Sequence, residues 1–155
     1  MDRFAKFVAL GFGSGLAPKA PGTFGTLAGV VIVVLTSQLP YFINAALFVL
    51  LLVGGVWAAD RYEKLTGKKD ASEVVIDEIA AYFMIYLFIP ANLITVIIGF
   101  VLFRIFDISK PYPIKKLEKI DGGLGVMADD IMAGLYSTII LGILYLGYVS
   151  FFSHI

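Results

Sequence analysis

Every lysine and arginine of this chain falls in one of three stretches, Arg3 to Lys19, Arg61 to Lys69 and Arg104 to Lys119, and long apolar runs separate them. The runs lie near residues 24–38, 41–59, 74–89, 91–106 and 127–152, while the links 38–44 and 89–93 carry no charge. Five runs crossing a layer in alternation put all twelve basic residues on one side, and the acids from Asp2 to Asp130 sort with them. This pattern, with 59% hydrophobic and 15% charged residues, departs far enough from the usual ~45–50% and ~25% that lipid is the expected solvent. Pro40 and Pro90 punctuate two of the junctions. The expected fold is all-α: a polytopic membrane helical bundle of about five membrane-embedded helices, in two hairpins plus a long C-terminal helix. A spanning helix needs about 20 residues, so full crossing by the runs 24–38 and 74–89 is open.

The same asymmetry orients the chain. Under the positive-inside rule the basic side is cytoplasmic, with the N-terminus inside and Ser153, His154 and Ile155 outside. Phe4, Phe7, Val8 and Gly11 have the spacing of a short N-terminal interfacial helix, or of a plain packing face. Residues 1–155 read as a single domain, without a cleaved signal. With no cysteine, thiol nucleophiles, Cys-based zinc sites and Fe–S clusters are excluded. The single histidine, His154, reads as a solvated tail residue. A formal charge of zero gives no reason to expect a nucleic-acid partner, and no protein partner is evident.

Four polar segments converge on the charged side. Gly11 to Thr26 is rich in glycine and hydroxyls directly before an apolar helix; it is either a juxtamembrane turn or an anion loop. Asp70, Glu73, Asp77 and Glu78 enter the third run. Asp70 with Glu73 looks like a helix cap and its reciprocal partner. That puts Asp77 and Glu78 about two turns inside the helix, where carboxylates want a cation or a watery cavity. Arg104, Asp107 and Lys110 repeat every three residues and share one helix side, as an ion-paired ladder or a phosphate clamp. Asp129 and Asp130 occupy the expected first turn of the last helix, either as dipole-compensating residues or as oxygen ligands for a hard divalent cation. Ala133 and Gly134 just beyond allow close helix approach.

In order, Gly13-Ser14-Gly15 with Ala20-Pro21-Gly22-Thr23, Asp70 seven residues before Asp77-Glu78, Phe103 to Ile114, and Gly122 to Gly134 resemble the phosphatidylglycerophosphatase A family. The matching blocks span residues 11 to 134. Ala81 and Thr26 stand where glycine and serine are usual, which removes no charged group. The resemblance implies a Mg²⁺-dependent membrane enzyme of phospholipid biosynthesis, which hydrolyses the terminal phosphomonoester of phosphatidylglycerophosphate at the cytoplasmic face of the bacterial inner membrane. Its partner would be the phospholipid substrate.

The sequence lacks the cysteine or histidine motifs of other phosphatase chemistries, and carboxylates with a metal remain. Asp77, Glu78, Asp129 and Asp130 are the expected Mg²⁺ ligands. Ser14, Gly15, Thr23, Thr26, Arg104 and Lys110 are the expected phosphate binders, with Asp70 in support. Asp107 would orient them or act as base. Direct attack by Asp107 or Asp129, through an aspartyl-phosphate, is the alternative route. Phe12, Phe24, Phe103 and Tyr112 are candidates for acyl-chain grooves or for interface anchors. The competing class is a small transporter or channel that uses the acids to bind cations. Transport predicts polar residues throughout the membrane depth, whereas here they gather at one face.

Overall fold

The computed structural model describes residues 1–152, and it is helical throughout, with no strand among the described residues. The expectation for His154 falls outside them. Helix α1 (Asp2–Ala9) leads through an irregular 3₁₀ stretch, Gly11–Leu16, into α2 (Pro21–Thr36) and α3 (Tyr41–Thr66). Then come α4 (Ile76–Ile85), α5 (Leu93–Ser109), the single turn α6 (Ile114–Leu117) and α7 (Gly123–Phe152).

Helix α4 organises the molecule. All ten of its residues are buried, as expected of a helix that is apolar on every side beyond Asp77 and Glu78, and α2, α3 and α7 pack around it. Close approach by α7 depends on Gly134, where a Cβ would lie 2.7 Å from the Ala81 carbonyl oxygen. The exterior is apolar: Leu35, Leu50, Leu93, Ile143 and Leu146 are all more than 60% exposed. Such a surface suits hydrocarbon, because water would leave large apolar patches unpaid. Two helices, α3 and α7, are long and apolar enough to cross a membrane. Helices α2 and α5 are shorter, and α4 at ten residues rises only about 15 Å.

Both proline turns fall where the sequence puts them. Asn44 Nδ2 donates to Thr36 O and Leu39 O, each at 3.2 Å, closing the turn between α2 and α3. Asn92 caps α5 by accepting from the Ile94 and Thr95 amides at 3.0 Å, and the Thr95 hydroxyl accepts in return from the Asn92 amide. The hairpins themselves do not form as expected. Helices joined by these turns touch little, and the packed pairs are α2 with α4, α4 with α7, α5 with α7, α1 with α3, and α3 with both α7 and α4. The reason is the all-round burial of α4, which draws its partners from across the sequence. Helix α1 lies on α3 through Ala5 and Ala9 and leaves Phe4 and Phe7 exposed, as an interfacial helix would.

Candidate active site

The entry to α4 differs from the capped start read from the sequence. The helix begins at Ile76 without a side-chain cap. Asp70 sits in the left-handed region at φ 47°, and Glu73 is engaged by Tyr62 Oη at 3.1 Å and Lys68 Nζ at 3.0 Å. The Lys68 ammonium holds the Glu73 carboxyl below its ordinary range. Asp77 and Glu78 are therefore in the first turn of α4, and Asp77 Oδ1 accepts from the Glu78 amide at 3.0 Å. The acids of α7 are displaced the other way. That helix begins at Gly123, so Asp129 and Asp130 lie nearly two turns inside it.

These displacements bring Asp77, Glu78 and Asp130 together: one carboxylate oxygen from each lies within 4.8 Å of the others, all in nearly buried surroundings. Glu78 Oε2 is buried without a hydrogen-bond partner. Three crowded, poorly hydrated carboxylates with an unused oxygen fit a hard divalent cation, which takes carboxylate oxygens. Asp129, also expected among the ligands, lines the same cavity and accepts from Lys110 Nζ through Oδ2 at 2.8 Å.

Arg104 approaches from α5. Its Nη1 lies 2.6 Å from Asp107 Oδ2 and 4.0 Å from Glu78 Oε1. The first contact is an ion pair without hydrogen-bond alignment, and both Nε and Nη1 are buried without a hydrogen bond. Lys110 leaves the helix ladder because it adopts a left-handed conformation at the α5 C-terminus, φ 41°. Its ammonium bridges Asp129 and Glu118, the latter at 3.1 Å. Burial opposes its charge, but Asp129 and Glu118 outweigh that and hold Lys110 above its ordinary value.

These groups line one open cavity of about 320 Å³, together with Ala20, Pro21, Gly22, Asp70 and Ser72. Asp70, Asp77, Glu78, Arg104, Asp107, Lys110, Asp129 and Asp130 are thus united. Four expected phosphate binders are not. Ser14 donates its hydroxyl to Gly11 O at 2.8 Å, Thr26 donates to Gly22 O at 2.9 Å and is fully buried, Gly15 packs against the Glu73 backbone, and Thr23 does not line the cavity. Phe103 is fully buried in the core, so it lines no lipid-facing groove, whereas Phe12, Phe24 and Tyr112 are exposed. Three contributors lacked a readable signal: Gly22 carries no functional group, and no motif or spacing sets Glu63 and Glu118 apart from the charges around them. Glu63, whose Oε2 is buried and unpartnered, lines a hollow of about 10 Å³ beside the cavity with Asp70, Glu118 and Asp129.

The family described as phosphatidylglycerophosphatase A matches residues 7–145. The chain belongs to that family. Among its relatives, the Escherichia coli K12 protein named phosphatidylglycerophosphatase A is 39% identical over 140 residues, covering 89% of this chain and 80% of its own. The Haemophilus influenzae protein of the same name is 37% identical, covering 86% and 84%. A Bacteroides thetaiotaomicron relative, provisionally named a phosphatidylinositol-3-phosphatase, is 43% identical, covering 88% and 90%. No solved structure matches the chain. Within the phosphatidylglycerophosphatase A family match lie all four convergent segments, including each residue of the cavity.

Proposed function

We propose that this phosphatase removes the terminal phosphate of phosphatidylglycerophosphate, yielding phosphatidylglycerol and inorganic phosphate, with Mg²⁺, at the cytoplasmic face of a bacterial inner membrane. Five membrane-embedded helices would carry the site. The reading rests chiefly on one observation: a single cavity holds clustered carboxylates with an unused oxygen beside an arginine two of whose donor atoms make no hydrogen bond. That combination suits a phosphomonoester, whose oxygens need both a cation and directional donors.

Asp77, Glu78 and Asp130 would hold Mg²⁺, which when bound neutralises phosphate charge and acidifies a nearby water. Arg104 donates to the phosphoryl oxygens from Nε and Nη1. Asp107, beside Arg104, fixes the guanidinium plane, a role that suits its position better than attack on phosphorus. Lys110 adds positive charge at the rim, and Asp129 and Glu118 hold it there. Water adds to phosphorus, the bond to the glycerol oxygen breaks, and that oxygen leaves with a proton. Asp129, on the cavity wall and anchored through one oxygen, is placed to handle proton transfer with the other. The diacylglycerol moiety stays in the leaflet, against exposed Phe12, Phe24 and Tyr112.

The test uses purified protein in detergent, supplied separately with phosphatidylglycerophosphate and phosphatidylinositol 3-phosphate, with Mg²⁺ or EDTA, and measures inorganic phosphate. Release from phosphatidylglycerophosphate that EDTA abolishes is expected. Preference for the inositol lipid would replace the substrate, and no release from either would overturn the reading.

A further inference from the structure

Glu78 and Arg104 carry opposite charges in a nearly buried site, yet they stand 4.0 Å apart, and each keeps an unused hydrogen-bonding atom. Such a pair would ordinarily close into a hydrogen-bonded bridge. Directly over the gap lies Gly22, in the first turn of α2. A Cβ there would strike Glu78 Oε1 and lie 3.1 Å from Arg104 Nη1 and 3.4 Å from Nη2. The glycine backbone therefore occupies the space just above both charged groups. Its position is fixed from two sides. Thr26, fully buried, donates to the Gly22 carbonyl, and Ala20 adopts a left-handed conformation, φ 49°, that aims the start of α2 at the cavity.

We propose that Gly22 is a positioning residue: its bare backbone sets the separation of Glu78 and Arg104, so that the carboxylate stays free for a divalent cation and the guanidinium for a phosphoryl group. A methyl at this point would displace the carboxylate from Asp77 and Asp130 and push the guanidinium off its line. Both affinities suffer together, although Gly22 touches neither ligand with a functional group. This inference rests on the metal-and-phosphate reading given above.

Gly25 and Gly29 continue the same face of α2 along α4, where added Cβ atoms would meet Val75 and Tyr82 respectively. Gly29, whose Cβ would find its nearest neighbour at 3.2 Å, is the control for a purely structural glycine. Mn²⁺ binding to detergent-solubilised protein, followed by electron paramagnetic resonance without substrate, is the primary readout. Gly22→Ala should weaken Mn²⁺ binding about tenfold or more, in the range seen when groups that orient metal ligands are altered. It should also raise KM for the lipid more than it lowers kcat. Gly29→Ala should shift melting temperature without changing Mn²⁺ affinity. The double variant Gly22→Ala/Glu78→Asp, whose shorter acid makes room for the methyl, should bind Mn²⁺ at least as well as Gly22→Ala alone. Wild-type Mn²⁺ affinity and KM in Gly22→Ala overturn the proposal, as does equal weakening in Gly29→Ala. Should Gly22→Ala not fold, a double variant that folds supports the proposal, because the shorter acid relieves the contact with the methyl, and a double variant that also fails to fold overturns it. Failure of wild-type protein to release phosphate while it still binds Mn²⁺ condemns the substrate reading and leaves this one standing. Failure of wild-type protein to bind Mn²⁺ overturns both.

Discussion

The two ends of α4 treat polar atoms in opposite ways. Toward its C-terminus, Tyr82 Oη donates to Val96 O at 2.9 Å, Tyr86 Oη donates to Thr95 O at 3.0 Å, and the two hydroxyls lie 3.1 Å apart. Each of those hydroxyls is used within the protein. At the N-terminal end, Glu78 Oε2 and Arg104 Nε and Nη1 are buried without a hydrogen bond, Nη1 being held only by its ion pair with Asp107. Buried polar groups are normally satisfied, and orphans cost about 1–3 kcal/mol. A helix that satisfies one end and leaves the other open separates the work of holding the fold from the work of binding a ligand.

The largest expected break in that contrast comes from the open end. Asp77→Asn or Asp130→Asn should lower phosphate release by well over about a hundredfold, since each removes a ligand charge from the trio. Melting temperature in detergent should hold or rise, because like-charge crowding is relieved. A marked fall in melting temperature with activity intact would reverse the assignment of the two ends. Next, Arg104→Lys should cost about 10²–10³ in kcat/KM, because a lysine cannot reproduce the guanidinium fork. Equal activity would mean that Arg104 supplies only charge.

At the satisfied end the sign of the effect changes. Tyr82→Phe and Tyr86→Phe should each destabilise by about 1–2 kcal/mol and leave kcat near wild type, as thermal unfolding and phosphate assays would report. At the cavity rim, Lys110→Met should destabilise as well, by leaving Asp129 buried without its partner. Because Lys110 is held above its ordinary value, its pairing contributes fully below that value and is lost only as pH climbs through the raised one. The destabilisation should therefore be flat from about pH 6 to 9. A strong slope there would implicate another group. The smallest effect is expected at the exposed pair Arg61–Asp2, whose side chains are about half exposed. Asp2→Asn should change stability by under about 1 kcal/mol.

The apolar runs were legible because proline and an absence of charge mark their turns, and because lipid-facing surface must be apolar. The packing partners were not, since nothing in a run of leucine and isoleucine says which neighbour will enclose α4. Asp70 and Glu73 have the spacing of a cap, but the left-handed conformation at Asp70 and the pull of Tyr62 and Lys68 on Glu73 delay the helix to Ile76. The acids of the cavity could be found as residue types that resist burial. Hydroxyls of the Gly11–Thr26 segment were equally visible, yet those of Ser14 and Thr26 turned inward to backbone carbonyls, a competition that Ser and Thr regularly enter. Gly22 has no chemistry to read, and only a three-dimensional neighbour reveals what its missing side chain permits.

Helix α7 is 30 residues long, about 45 Å of rise against a hydrocarbon slab of about 30 Å. Upright, it overshoots the oily layer by some three turns. If that excess lies at its beginning, Asp129 and Asp130 stand level with the phosphate groups of the surrounding leaflet and never enter its dry middle. A lipid could then present its head to the cavity by sliding sideways in its own plane, without being lifted out of the bilayer.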